Sequence, residues 1–121
     1  MSKSVQIVDD DPTLLKILEG KLSALGYSVL KAQNAQECRE QIKNHPVDLI
    51  ILDIMMPEVD GLQLCHDLKI KEGVTIPIVL LTQLDEPVGA NVCEEVGAEA
   101  YVEKENLEKD LLNIVKRILK D

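Results

Sequence analysis

The sequence predicts an α/β fold in which helices cover both faces of a five-stranded parallel sheet. Five short runs rich in Val, Ile and Leu alternate along the chain with segments whose apolar residues recur at helical spacing. The runs Val47–Leu52 and Ile76–Leu81 are almost continuously aliphatic, as expected for strands that are buried on both faces. A chain of 121 residues can bury one such core. We therefore expect a single domain over residues 1–121, without a second, output domain.

The predicted strands are separated by segments long enough to hold a helix each. They are Val5–Val8, Ser28–Ala32, Val47–Leu52, Ile76–Leu81 and Ala100–Val102. Five strands that alternate with five helices usually form a doubly wound (βα)5 sheet of flavodoxin-like order 2-1-3-4-5. Ligands of such sheets bind beyond the carboxyl ends of the strands, at the switch point between strands 1 and 3. Functional residues are therefore expected where the strands end.

Each predicted helix carries an apolar stripe at a spacing of three or four residues. The stripes are Leu14, Leu18, Leu22 and Leu25; Cys38 and Ile42; Leu62, Cys65 and Leu68; Val88, Val92 and Val96; and Leu107, Leu111, Ile114 and Ile118. Gly26 and Gly97 are placed to end helices, and Pro12 and Pro87 are placed in first turns. The sequence thus predicts where each helix faces the sheet.

Composition excludes several classes of protein. A net charge of −9 argues against direct binding to nucleic acid or to an anionic membrane, because both attract basic surfaces. No run of about 18 apolar residues is present, and Met1–Ser4 leads directly into a strand, so neither a membrane span nor a signal peptide is expected. The three cysteines are scattered without metal-ligand spacing, which favours buried, reduced thiols and a cytoplasmic protein.

Polar residues gather at the predicted carboxyl ends of the strands. Asp9, Asp10 and Asp11 follow strand 1, and Asp53 follows strand 3. Thr82 follows strand 4 and Lys104 follows strand 5. An isolated Asp in such a place is usually a turn residue or a helix cap, and Asp11 before a proline is expected to be an N-cap. The others are predicted to converge on one crevice.

The chemistry of this set is that of phosphoryl transfer. Asp9, Asp10 and Asp53 repel one another unless a cation lies between them, and Mg²⁺ or Mn²⁺ accepts such oxygen ligands. Lys104 can neutralise further charge, and Thr82 offers a hydroxyl donor. A carboxylate that attacks phosphorus forms an acyl phosphate. The residues therefore indicate a metal-assisted phosphoacceptor.

The chain resembles the receiver domains of two-component response regulators over essentially its whole length. The matching segments are Val8–Pro12, Leu52–Pro57 with Gly61, Leu81–Thr82, Gly97–Ala98 and Tyr101–Lys104. The resemblance implies that Asp53 is the phosphoacceptor and that Asp9, Asp10, Asp53 and the backbone carbonyl of Met55 hold the metal. It implies that Thr82 and Lys104 contact the phosphoryl oxygens. It also implies that Tyr101 swings inward with Thr82 on phosphorylation, although Tyr101 fits a half-exposed strand residue as well.

Two positions depart from the family pattern. The family usually has a proline after the lysine, in a cis peptide, where this chain has Glu105. A cis bond before a residue other than proline costs about 3 kcal/mol, so we expect a trans Lys104–Glu105 bond and a shifted loop. The family often has a small residue after the threonine, where this chain has Gln83. A longer side chain at the mouth of the site predicts slow loss of the phosphoryl group.

The resemblance also implies partners. A histidine kinase or phosphotransfer protein is expected on the first helix and on the loop near Lys104. From the net charge of −9, no direct contact with nucleic acid is expected. Leu15 and Ile17 widen the apolar surface of that helix, either as a docking surface or as additional core. The fourth helix, fifth strand and fifth helix are expected to contact an output partner or a second copy of the chain.

Three alternatives were weighed against this interpretation. Asp9-x-Asp11-x-Thr13 matches the first motif of haloacid-dehalogenase-type phosphatases, but neither Glu105 nor Asp110 supplies the downstream acidic pair that they need. A degenerate receiver that binds partners without phosphorylation would carry changes such as Gln83 and Glu105. A flavodoxin that binds FMN needs a phosphate-binding loop where this chain has three aspartates. Of these, the degenerate receiver is the closest rival.

Overall fold

The computed structural model describes residues 3–56, 59–83 and 89–120. Its main sheet has five strands, which are β1 (Ser4–Val8), β2 (Ser28–Ala32), β3 (Leu49–Asp53), β4 (Ile78–Thr82) and β5 (Ala100–Glu103). All neighbouring strands are parallel, and their order is 2-1-3-4-5. The predicted doubly wound α/β fold is confirmed.

Strands β3 and β4 lie further along the chain than predicted. The sequence places them at Val47–Leu52 and Ile76–Leu81, whereas the ladder runs over Leu49–Asp53 and Ile78–Thr82. Pro77, directly before β4, lacks the N–H that a central strand donates. Asp53 and Thr82 are the last residues of β3 and β4, and each is paired with a residue of the neighbouring strand.

Within the described ranges, five helices connect and cover these strands. They are α1 (Pro12–Ala24), α2 (Ala35–Asn44), α3 (Gly61–His66), α4 (Ala90–Val96) and α5 (Leu112–Leu119). A π turn over Asp67–Lys71 extends α3, and a 3₁₀ turn at Lys104–Asn106 and a π turn at Leu107–Leu111 lead into α5. The α1 N-cap is Asp11, as predicted. Gly97 ends α4 at a φ of 80°, whereas the first-turn position predicted for Pro87 and the stripe position Val88 lie outside the described residues.

The core consists of two apolar layers, one on each face of the sheet. Alternate residues of the central strands point into them: Ile51 and Leu81 pack with α1 and α5, and Leu52 and Leu80 pack with α2, α3 and α4. All three cysteines are buried, and burial raises the pKa of the Cys38 thiol to about 11 and that of Cys65 to about 12. These thiols stay protonated and act as small apolar side chains, as predicted.

The α1 stripe differs from the prediction. Leu15, Leu18 and Leu22 are buried, whereas Leu25 is 40% exposed. Leu25 is the C-cap of α1, directly after the last helical residue, Ala24, and directly before Gly26, whose φ of 94° turns the chain away from the helix. Leu15 therefore belongs to the core, but Ile17 is 49% exposed and does not.

The α5 stripe is also shifted. The buried residues are Leu107, Leu111, Val115 and Leu119, whereas Ile114 and Ile118 are only partly buried. A π turn contains more residues than an α turn, so the turn at Leu107–Leu111 moves the buried face onward by one residue. Within the described part of the chain, no helix has the length and apolar character needed to cross a membrane.

Candidate functional site

Three carboxylates meet at the carboxyl edge of the sheet. Asp9 follows β1, and Asp53 ends the adjacent β3, with Val8 and Leu52 paired between them in the ladder. One oxygen from each of Asp9, Asp10 and Asp53 lies within 4.8 Å of the others. Asp9 and Asp53 are almost completely buried, whereas Asp10 is exposed. The predicted convergence of the acidic residues is present in the structure.

Backbone amides fix one oxygen of each buried carboxylate. Oδ1 of Asp9 accepts a hydrogen bond of 3.0 Å from the Asp11 N–H, and Oδ1 of Asp53 accepts one of 3.1 Å from the Met55 N–H. The second oxygen of each, Oδ2, is buried and accepts no hydrogen bond from any residue in the described ranges. A buried carboxylate oxygen without a hydrogen bond is costly, so both oxygens are suited to a cation or a ligand.

Lys104 is the cation of this cluster. It follows β5, and its Nζ lies 3.1 Å from Oδ2 of Asp53 and 3.7 Å from Oδ2 of Asp9. These contacts are ion pairs that lack hydrogen-bond geometry. Partial burial alone would lower the pKa of Lys104, but pairing with Asp53 and the charges of Asp9 and Asp10 raise it overall. The ammonium group therefore stays charged at neutral pH.

One lysine does not balance three carboxylates. Burial, followed by the charge of Asp53, raises the pKa of Asp9 to about 6, although the Asp11 N–H and Lys104 act in the opposite direction. A hard divalent cation would relieve this repulsion, and oxygen donors are the ligands that Mg²⁺ prefers. Asp9, with its free Oδ2, the exposed Asp10 carboxylate and the adjacent Asp53 carboxylate therefore offer oxygen ligands that fit Mg²⁺ or Mn²⁺.

The remaining predicted residues lie on β4 and β5 or shortly after them. Thr82 ends β4 next to β3, and its side chain is only 2% exposed. Tyr101 lies on β5 and is 37% exposed, which matches a half-exposed strand residue in this conformation. Gln83 and Glu105 are exposed at the rim. The described residues contain no cis peptide bond, so the Lys104–Glu105 bond is trans, as predicted.

The sequence did not predict every residue that supports the site. The Met55 carbonyl is expected to hold the metal, and the structure adds a contact that the sequence did not predict, from the Met55 N–H to Oδ1 of Asp53. Every residue other than proline has a backbone N–H, so composition and spacing carry no signal for such a contact. Pro57, part of the motif around Asp53, lies outside the described residues.

The phosphatase alternative is not favoured by the placement of Asp11. Its carboxylate is exposed and accepts a hydrogen bond of 2.9 Å from the Thr13 N–H at the start of α1. It acts as a helix cap, whereas that alternative needs it as an acid and base directed at the nucleophile.

Two grooves lie on surfaces with predicted partners. One runs along α1 from Pro12 past Ile17 and Gly20 to Ala24, with a volume of about 790 Å³. The other lies between α4, β5 and α5, has a volume of about 520 Å³, and includes Tyr101 in its lining. Both are open surface features outside the carboxylate cluster.

Comparison with known proteins finds one family model and several related regulatory proteins. The family model of the response regulator receiver domain matches residues 5–116. A protein of Cyanidium caldarium named "Probable transcriptional regulator ycf27" is 41% identical over 116 residues, which are 93% of this chain and 46% of that protein. The alkaline phosphatase synthesis transcriptional regulatory protein PhoP of Bacillus subtilis is 32% identical, with 99% of this chain and 50% of PhoP covered. The chain thus spans about half the length of these relatives.

Solved structures agree with this match. The receiver domain of the TMAO respiratory system response regulator TorR superposes with a TM-score of 0.87 at 33% identity, covering 97% of this chain and 96% of that one. The BeF3-activated N-terminal receiver domain of RstA from Klebsiella pneumoniae gives a TM-score of 0.86 at 31% identity, with 98% and 100% covered.

Proposed function

Because this chain belongs to the family of response regulator receiver domains, we propose that it is a phosphorylation-dependent signalling switch. Asp53 accepts a phosphoryl group from a phosphohistidine of a histidine kinase or phosphotransfer protein. The observation that carries this proposal is the Oδ2 atom of Asp53, which is buried, accepts no hydrogen bond from the described residues and lies 3.1 Å from the Lys104 ammonium.

The proposed reaction is a displacement at phosphorus. Oδ2 of Asp53 forms the new P–O bond, the P–N bond to the donor imidazole breaks, and the imidazole nitrogen keeps the electron pair. The Met55 N–H holds Oδ1 and so limits rotation of the carboxylate. Lys104 pairs with the phosphoryl oxygens, and Thr82 donates its hydroxyl to one of them. A Mg²⁺ ion held by Asp9, Asp10, Asp53 and the Met55 carbonyl supplies further charge stabilisation when it is bound.

The proposed switch couples this site to the surface formed by α4, β5 and α5. Thr82 and Tyr101 lie on adjacent strands, β4 and β5. A phosphoryl group that draws the Thr82 hydroxyl inward frees space behind it, into which Tyr101 moves. Because Tyr101 lines the groove on this surface, its departure changes the surface available to an output partner or to a second copy of the chain.

The donor is proposed to bind along α1. Ile17 is exposed on α1. The alternative that Leu15 and Ile17 both belong to the core is therefore wrong for Ile17. The groove along α1 begins at Pro12, directly after the acidic loop formed by Asp9, Asp10 and Asp11. A protein bound along α1 can therefore present a side chain to Asp53.

Contact with nucleic acid has to be considered separately for this chain and for full-length proteins that contain such a domain. The relatives are named as transcriptional regulators, and this chain covers about half of their length. The expectation of no direct contact with nucleic acid is therefore not supported for such full-length proteins. For the residues of this chain it stays a proposal, based on the net charge of −9.

Labelling with a small phosphodonor tests the proposed function. With acetyl phosphate or phosphoramidate and Mg²⁺, the chain is expected to gain the mass of one phosphoryl group, and peptide mapping after hydroxylamine treatment should locate it at Asp53. A chelator should prevent the gain, because the carboxylates would otherwise repel the donor. A folded chain that takes no label, as a degenerate receiver would, contradicts the proposal.

Shortening Gln83 is expected to speed loss of the label. Gln83 is exposed directly after Thr82, where its side chain can hinder an attacking water. In a Gln83→Ala variant, the decay rate of the acyl phosphate should rise about 2- to 10-fold, a change of about 0.4–1.4 kcal/mol in barrier. Mass spectrometry after removal of the donor measures the decay. A variant that loses the label no faster than the parent would show that Gln83 does not shield the site.

A further inference from the structure

Gly61 lies against the backbone that carries Asp53. It is the first residue of α3 and is buried. A Cβ atom at this position would lie 2.4 Å from Cα of Ile54 and 2.6 Å from the carbonyl oxygen of Asp53. Both atoms belong to the backbone, so a side chain at Gly61 cannot be accommodated by turning a rotamer. The peptide after Asp53 would have to move.

That peptide and the next one are held by hydrogen bonds. The Ile54 N–H donates to Leu81 in β4 at 3.2 Å, and the Ile54 carbonyl accepts the Gly61 N–H at 3.2 Å. The next N–H, that of Met55, donates to Oδ1 of Asp53. Met55 and Met56 also pair antiparallel with Val59 and Asp60. The close approach of Gly61 thus presses α3 onto the same two peptides that orient the Asp53 carboxylate.

We propose that Gly61 is a positioning residue that sets the orientation of the Asp53 carboxylate through the Asp53–Ile54 peptide. With glycine, α3 approaches closely enough for the Gly61 N–H to reach the Ile54 carbonyl, and the Met55 N–H is then in line with Oδ1 of Asp53. A methyl group at Gly61 pushes Ile54 away and misaligns that N–H. Oδ2 of Asp53 then turns away from the position it shares with Asp9 and Lys104.

The expected consequence is a reaction defect in a folded protein. This part of the inference rests on the proposed phosphoacceptor function. Misplacing a reacting atom by about 1 Å costs up to about 100-fold in rate, so Gly61→Ala is expected to label about 10- to 100-fold more slowly than the parent. The Mg²⁺ concentration that gives half-maximal labelling should also rise, because Asp53 is one of the proposed ligands.

The test compares four variants of the full chain with the parent. With acetyl phosphate as the donor, which is too small to need the groove along α1, Gly20→Ala is the control for adding a methyl group, because a Cβ at Gly20 meets nothing within 4 Å. Asp60→Ala is the control for weakening α3, because the Asp60 carboxylate accepts the Leu62 and Gln63 N–H groups at the helix start. Gly61→Ala is made alone and together with Gly20→Ala, which stabilises the helix by relieving its glycine penalty.

Two readouts separate positioning from stability. The first is the labelling rate, and its Mg²⁺ dependence, at a temperature where every variant is folded. The second is the amide spectrum of the metal-free chain, in which the Asp53, Ile54 and Met55 signals should shift in Gly61→Ala but stay in place in Gly20→Ala. Asp60→Ala should lose stability and keep its labelling rate within about 2-fold of the parent, a difference of about 0.4 kcal/mol.

Each outcome supports or overturns the positioning role of Gly61. Slow labelling with shifted Asp53–Met55 amides supports the proposal. Labelling at the parent rate, or a rate loss equal to that of Asp60→Ala, overturns it, and so does a Gly61→Ala chain that stays unfolded even with Gly20→Ala, since the glycine would then serve the fold. If the parent itself takes no label, the proposed function fails, while the amide shifts still decide whether Gly61 positions Asp53.

Discussion

An Asp53→Asn variant is expected to accept no phosphoryl group from a small phosphodonor, whatever the Mg²⁺ concentration. A carboxamide has nearly the same shape as the carboxylate, but it lacks the negative charge that makes Oδ2 a nucleophile. The loss of labelling should exceed about 1,000-fold, or about 4 kcal/mol of barrier. Intact mass spectrometry after incubation with acetyl phosphate and Mg²⁺ measures it directly.

The matched control for this variant is Asp11→Asn. Asp11 lies in the same acidic loop, but its carboxylate is exposed and caps α1. Asparagine is about as good an N-cap as aspartate, so this variant should fold and label like the parent. Label that persists in Asp53→Asn and maps to Asp9 would contradict the assignment and would revive the phosphatase alternative, in which the first Asp of the motif is the nucleophile.

The fold was predictable because burial on both faces leaves a clear pattern. Leu49–Leu52 and Ile78–Leu81 are continuous aliphatic runs, and a parallel order of five strands then brings Asp9 and Asp53 to one edge. The acidic pair, Thr82 and Lys104 were predicted to meet because each lies at or directly after the end of a strand. Side-chain type and position along the chain were sufficient to predict that the carboxylates and Lys104 lie close together.

Other features depend on contacts that the sequence pattern does not contain. The π turn at Leu107–Leu111 exchanges Ile114 for Val115 in the core, and both residues are apolar, so the stripe alone does not distinguish them. The Met55 N–H on Asp53 and the approach of Gly61 to Ile54 are backbone contacts. Only the path of the chain in three dimensions determines them.

The carboxylate cluster also predicts how stability depends on pH. The pKa of Asp9 is raised from 3.8 to about 6 in the folded chain, chiefly by burial. As the pH rises through this window, the unfolded chain releases a proton that the folded chain keeps, so folding becomes less favourable, and above about pH 6 the whole cost is present. A shift of this size corresponds to about 1–3 kcal/mol.

An Asp9→Asn variant should therefore be more stable than the parent when metal is absent. At pH 7.5 with a chelator, we expect its free energy of unfolding to be higher by about 1–3 kcal/mol, and at pH 5 the difference should be smaller. Urea titration at the two pH values measures this. Glu40→Gln is the matched control, because Glu40 is an exposed carboxylate on α2 and its removal changes the net charge equally. Its stability should stay within about 0.5 kcal/mol of the parent.

Added Mg²⁺ should reduce or reverse the difference in stability between Asp9→Asn and the parent. A ligand that binds only the folded chain at ten times its dissociation constant stabilises it by about 1.4 kcal/mol, and the parent and Glu40→Gln should both gain this. Asp9→Asn should gain little, because asparagine removes a charged ligand and the repulsion that the cation relieves. Equal stabilisation of all three chains, or an Asp9→Asn variant that is less stable without metal, would show that Asp9 is a structural residue. The expected result would show that the buried charge of Asp9, which costs stability in the metal-free protein, serves to hold a cation beside Asp53.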